Sequence, residues 1–338
     1  MLRRQVLLTI VAAFLLSSPT WAGLVADVFY VKMDFTLAET AFVYQLDAKG
    51  NLVPLPVSRV DRRTGEIDYS KRGVLWLLGV ETHVVRRTPD GILSEPLEQV
   101  EDMDRYSRAN HHLVFSHVSR TKPPTEIFMD GQRVIAIGQE FTDLWFPAGY
   151  AYKISDGYMY PWNWHWHNFG GVPDDEEVYV QVIAYYDDDP DAGYRDLNVF
   201  WYDAQPLVSE FCTQPGRRSY DGFRWPVLER QRVVAIMPHV HDHAEQMELV
   251  HNGQTRAVFT GEFATRYTYH RSHNRCQNYP WALEEGSLVP KTLNMWYPEE
   301  ELIFSPGNTV MARSVYNNPH AGPLDAMAIM VTYYERLP

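Results

Sequence analysis

Residues 232–243 read RVVAIMPHVHDH, an apolar, β-branched run that delivers His239, His241 and His243 at alternating positions. Val and Ile favour extended backbone, where a branched side chain packs well on a pleated surface. Successive side chains of a strand point to opposite faces, so His239 and His241 share a face and present two imidazoles side by side. That is half of a metal site. Imidazole suits copper, zinc, iron and nickel, and the remaining ligands decide among them. The same twelve residues thus predict a β-strand and a ligand pair.

The rest of the chain follows the same pattern. VFYVKMDF, AFVYQL, GVLWLLGVETHVV, HHLVFSHV, QRVIAI, EVYVQVIAYY, MARSVY and MAIMVTYY are short β-rich runs, punctuated by Gly, Pro, Asn and Asp. Few windows carry a helical period, and no repeat recurs at a solenoid period. Many short strands separated by turn signals predict a β-sandwich or barrel. A domain boundary is expected between Tyr186 and Arg232, where DDDPDAG (187–193) and QPGRRSYDG (214–222) are loop compositions. Asp oxygens are hard ligands, so the acidic loop is open between a solvated turn and a calcium site.

The first residues combine a basic start, MLRRQ, a short apolar run, VLLTIVAAFLLSS, and a small residue at Ala22. This is the pattern of a secretory signal peptide over residues 1–22, too short in its apolar run for a membrane span. Its removal takes 22 of 338 residues and, with Arg3 and Arg4, moves the formal charge from −13 to −15. So acidic a chain argues against nucleic-acid or anionic-membrane partners. Cys212 and Cys276 are the two cysteines, and an oxidising compartment favours a disulfide between them, with two separate thiols as the alternative.

Thirteen histidines are unevenly distributed. His111 and His112 are adjacent, and neighbours in a strand face opposite ways, so both serve one metal only where the strand twists, bulges or ends. His165 and His167 repeat the alternate spacing within PWNWHWHNFGG, where imidazoles filling space between indoles are equally open. His117, His251, His270, His273 and His320 read as structural, although His270 and His273 stand close to Cys276. In the tail, Met327 and Met330 lie on one expected strand; thioether sulfur selects copper over zinc, and methionine is also a common core filler.

HHLVF, FPAGYAYKI, HWHN, MPHVHDH, FSPGNTVMARSVYNNP and LDAMAIMVTYY, in that order, resemble the copper type II, ascorbate-dependent monooxygenases, the family of peptidylglycine α-hydroxylating monooxygenase and dopamine β-monooxygenase. The MPHVH and YNNP…LDAM elements look closest to bacterial members, and the resemblance covers roughly residues 105–338. It implies two jelly-roll-like β-sandwich domains in tandem, here residues 23–200 and 201–338, each with one copper ion. The electron-donating copper is expected on His111, His112 and His165, and the oxygen-activating copper on His239, His241 and Met327. His167 and His243 match no family ligand.

The function implied is hydroxylation of an aliphatic or benzylic C–H of a small organic substrate, with O2 and ascorbate or another electron donor. Two departures bear on it. A family disulfide near Ser314 and Ala328 is missing, and the arginine that anchors a peptide carboxylate before the His-x-His element is replaced by AIMP (235–238). A peptidylglycine substrate is therefore not expected. A copper-binding or copper-sequestering periplasmic protein without turnover is the alternative, and a metal-free jelly-roll binding module is a third.

Overall fold

The computed structural model describes residues 24–33, 41–49, 51–54, 64–66, 74–91, 93–94, 110–119, 132–138, 141, 143–154, 158–159, 161–166, 176–206, 210–241, 243–266, 276, 287–319, 321–323 and 325–338. Among them there are strands and turns and no helix. The all-β sandwich architecture expected from the alternating, turn-punctuated sequence is met. The expected signal segment lies outside the described residues, as do His167, His270, His273 and His320.

The first half is built on an eight-stranded sheet. Its order is Arg195–Asp196, Tyr150–Ile154, Leu75–Arg86, Val178–Asp187, Leu24–Met33, Ala41–Leu46 and Leu52–Pro54, with Asp143–Trp145 on a further edge of Leu75–Arg86. The two long central strands, LWLLGVETHVVR and VYVQVIAYYD, bury almost every residue, because both of their faces are covered. Facing this sheet in the same core are Leu113, Phe115, Val134, Ile135 and Ile137. They belong to a second sheet in which Asn110–Ser119 lies between Pro161–Trp166 and Gln132–Gly138. Gly79 is required: a Cβ there would stand 2.5 Å from the Trp145 ring and 2.8 Å from the Leu144 carbonyl.

Strand pairing changes partners at Leu197. Every described ladder up to Asp196 stays within residues 24–196, and every one from Asn198 onward stays within 198–336. The second half is again a sandwich. One sheet runs Asn198–Asp203, Asp325–Arg336 (the methionine strand), Gln231–Val240 (the histidine strand) and Leu302–Phe304, with Glu210–Cys212 on the first residues of the methionine strand. The other runs Arg217–Asp221, Thr309–Asn318 (the tyrosine strand), Ala244–His251 and Gln254–Phe259. Val233, Met247, Leu249, Phe304 and Ala312 fill the space between. Burial pushes the Tyr202 phenol well above its ordinary range, so it stays neutral and donates to Gln231 Oε1 at 3.0 Å.

The two halves share one buried apolar cluster. The Phe146 ring lies 5.0 Å from that of Tyr333, the Arg133 guanidinium sits 4.8 Å over Trp201, and Tyr297 donates to the Trp145 carbonyl at 3.0 Å. Cys212 and Cys276 form a disulfide with Cα atoms 5.6 Å apart. It ties Cys276 to Glu210–Cys212, the short strand beside the start of the methionine strand.

Candidate metal centre

The histidine strand enters the sandwich through QRVVAIM, whose apolar and β-branched residues are buried from Val233 to Met237. Its pairing with the methionine strand contains one irregularity: Val233 opposes Tyr334, but Ala235 opposes Tyr333, so Val234 is an extra residue. Beyond this bulge the register runs His239 to Ile329 and Val240 to Ala328. One step further, the His241 N–H donates to the Met327 carbonyl at 3.3 Å. Residues directly opposed in an antiparallel pair share a face, so His239, His241, Met327 and Ile329 lie on one side of the sheet. Ala326, Ala328 and Met330 lie on the other, which separates the two tail methionines. Had Val234 not bulged, the histidines would oppose Ala328 and Ala326, because a one-residue slip exchanges the faces.

The two imidazoles stand with ring centroids 5.4 Å apart and planes at 90°. Two imidazoles sharing one tetrahedral ion, with metal–nitrogen bonds of about 2 Å, place their centroids about 5 Å apart. The observed pair fits that spacing. His239 is 8% exposed and Met327 9%, while Met237 and Val331, deeper on the same face, are essentially inaccessible. His241, at the strand end, is half-buried. The face thus grades from a sealed core to the half-buried His241 at the strand end. Among the described residues no three His, Cys, Asp or Glu side chains gather into a metal-holding group; the third donor on this face is the Met327 thioether.

After His241 the chain turns, with Ala244 N–H donating to the His241 carbonyl at 3.3 Å, and crosses to the opposite sheet. His243 takes the left-handed conformation of this turn, φ 67°, and its carbonyl accepts from Asn317 N–H at 3.0 Å. The Tyr316 hydroxyl reaches back from the tyrosine strand. It accepts from His241 N–H at 2.9 Å and from Met327 N–H at 3.3 Å, and donates to the Met327 carbonyl. The sequence by itself assigns no role to Tyr316. YNNP marked it only as part of a motif, and its contact with residues 75 positions earlier carries no local signal.

For the other expected cluster, His111, His112 and His165, the structure describes the backbone register. His165 on Pro161–Trp166 directly opposes His112, and Trp166 opposes Asn110. His111 is therefore the extra residue of a bulge, the condition under which adjacent histidines can serve one site. His112 also opposes Gly138 on its other side. The three residues named for this cluster occupy one point of one sheet.

Other histidines and loops fall elsewhere. His251 is buried with Nε2 2.8 Å from Asn308 Oδ1, a structural contact as expected. Cys276 is held in the disulfide and offers no thiolate to its neighbouring histidines. The acidic loop closes on itself, Asp187 accepting from Asp189 N–H and from Tyr194, and Asp189 from Asp191 N–H.

No family model matches the chain, and no curated protein matches it. Solved structures with partial likeness include the insecticidal delta-endotoxin Cry8Ea1 from Bacillus thuringiensis, at 10% identity over 93% of this chain and 53% of that one, TM-score 0.22. Infectious bursal disease virus Gt strain aligns at 10% identity over 94% and 73%, TM-score 0.19. The mosquito-larvicidal Cry4Aa toxin from Bacillus thuringiensis aligns at 8% over 96% and 55%, TM-score 0.19. The chain spans about half the length of the two toxins. At these scores the likeness identifies neither a fold family nor a function.

Proposed function

We propose that the protein is an exported copper-dependent monooxygenase that hydroxylates a C–H bond of a small organic substrate, using O2 and an ascorbate-like reductant. The observation that carries this reading is the common face of His239, His241 and Met327, with the two imidazoles 5.4 Å apart at a strand end. Two nitrogens and a thioether form a donor set that favours copper over zinc. The register that brings His112 opposite His165 with His111 in a bulge supports a second site of three imidazoles. The sequence resemblance to the copper type II monooxygenases names the same six residues.

When bound, copper supplies one-electron chemistry with O2 at the methionine site and an electron relay at the three-histidine site. The chain's own contributions are positional. Burial of Met237, Ile329 and Val331 keeps water from the inner side of His239 and His241. The buried apolar run Ala235–Met237 before the ligands offers no cation. A substrate anchored by its carboxylate at that point is therefore disfavoured.

The test is a copper count on the mature protein with electron paramagnetic resonance of the oxidised form, followed by reductant-dependent oxygen uptake across a panel of small organic substrates. Two type II centres per chain and one in His239→Ala are expected, with oxygen uptake in the wild type alone. Absence of copper binding refutes the reading. Two coppers without oxygen uptake on any substrate would leave a copper-sequestering protein in its place.

A further inference from the structure

We propose that Tyr316 is a positioning residue for the ligand pair His241 and Met327, its hydroxyl setting how far apart the two ligand-bearing chain segments stand. This rests on the reading of their shared face as a metal site. A phenol hydroxyl has one donor and two acceptor directions. All three are used here: the hydroxyl donates to the Met327 carbonyl and accepts from the amides of His241, at 2.9 Å, and Met327, at 3.3 Å.

His241 lies one residue past the last residue of the histidine strand, where the ladder ends. Its N–H also donates to the Met327 carbonyl at 3.3 Å, after which the chain turns toward the other sheet. Tyr316 belongs to that other sheet, paired with Ala244 and Ser219. The hydroxyl therefore bolts the free end of one sheet to its opposite, at the residue that carries a ligand. Its ring is 1% exposed and is held edge-on by Phe211, 5.6 Å away with planes at 89°. Phe211 is in turn fixed next to Cys212 of the disulfide and opposite Ala326. The bracing runs unbroken from the disulfide through two aromatic rings to the ligand backbone.

The experiment uses the mature full chain and Cu(I) competed against a chromophoric chelator, with X-ray absorption at the copper edge to detect sulfur scattering. In Tyr316→Phe, Cu(I) affinity at the methionine site is expected to fall roughly 10- to 100-fold, the usual effect of removing a group that orients metal ligands. Sulfur scattering should weaken. Tyr333→Phe, which removes another fully buried hydroxyl from the methionine strand, should bind Cu(I) as the wild type does. Wild-type affinity and scattering in Tyr316→Phe overturn the proposal. Should that variant fail to fold, Phe211→Leu keeps the hydroxyl but releases the ring; a smaller loss of affinity is expected, and none overturns the proposal. If His239→Ala leaves the copper count unchanged, the metal site itself is refuted. If His239→Ala loses copper and Tyr316→Phe does not, only the positioning role is refuted.

Discussion

Two methionines three residues apart on one strand make a paired test of the site. Met327 is 9% exposed and shares the face of the histidines; Met330 is fully buried on the opposite face, opposed by Pro238 and Tyr202. Leu for Met nearly conserves volume, so each replacement should cost less than about 1.5 kcal/mol of stability. For a protein of this size that corresponds to no more than about 6 °C in the unfolding midpoint. Leucine has no soft donor. Met327→Leu is therefore expected to lower copper content from two to one per chain, or to weaken one ion enough that dialysis removes it, while Met330→Leu keeps both. Plasma emission spectroscopy gives the copper count and differential scanning calorimetry the stability cost. Equal copper retention in the two variants would mean that Met327 is core filler and that the face argument from the register is wrong.

Three further outcomes are expected. Each copper at 100 times its dissociation constant should stabilise the wild type by about 2.7 kcal/mol, read as a thermal shift that shrinks in His239→Ala, which keeps the other ion; an undiminished shift would place the stabilising ion elsewhere. The disulfide closes 64 residues, and the chain-entropy estimate for such a loop is about 4 kcal/mol; Cys212→Ser/Cys276→Ser should lower the denaturation midpoint accordingly, and an unchanged midpoint would refute the estimate. The Lys32 ammonium, 2.7 Å from Glu177 and assisted by Arg87, holds the Glu177 carboxyl below its ordinary range despite partial burial. A lowered folded-state pKa gives stability that is present above the ordinary carboxylate value and lost as pH falls through the lowered one. Solvent screening at these partly exposed groups keeps the contribution under about 1 kcal/mol. Glu177→Gln should flatten the acid limb of the stability curve, and an identical limb would refute the assignment.

Much of the fold was legible because strand-forming composition and turn residues are local signals. RVVAIM, EVYVQVIAYY and LWLLGV read as strands, and all three are buried ones. The disulfide was legible from the cysteine count and the expected compartment, since only one pairing is available within the chain. Tyr316 was not, because it touches residues on a different sheet through its hydroxyl, and nothing in SVYNNP distinguishes a bridging tyrosine from one that fills a core.

The alternation in PHVHDH was enough to put His239 and His241 on one side of a strand, since extended backbone has a period of two. It could not say which side of the neighbouring strand they would meet. That depends on a single extra residue at Val234, which sets whether the histidines oppose Met327 and Ile329 or Ala326 and Ala328 on the other face. At the other cluster, the bulge at His111 decides in the same way what stands opposite His165. Register is a property of two strands together, fixed by the packing of both faces; one strand's sequence therefore names the donors, and only the folded sheet decides which of them meet.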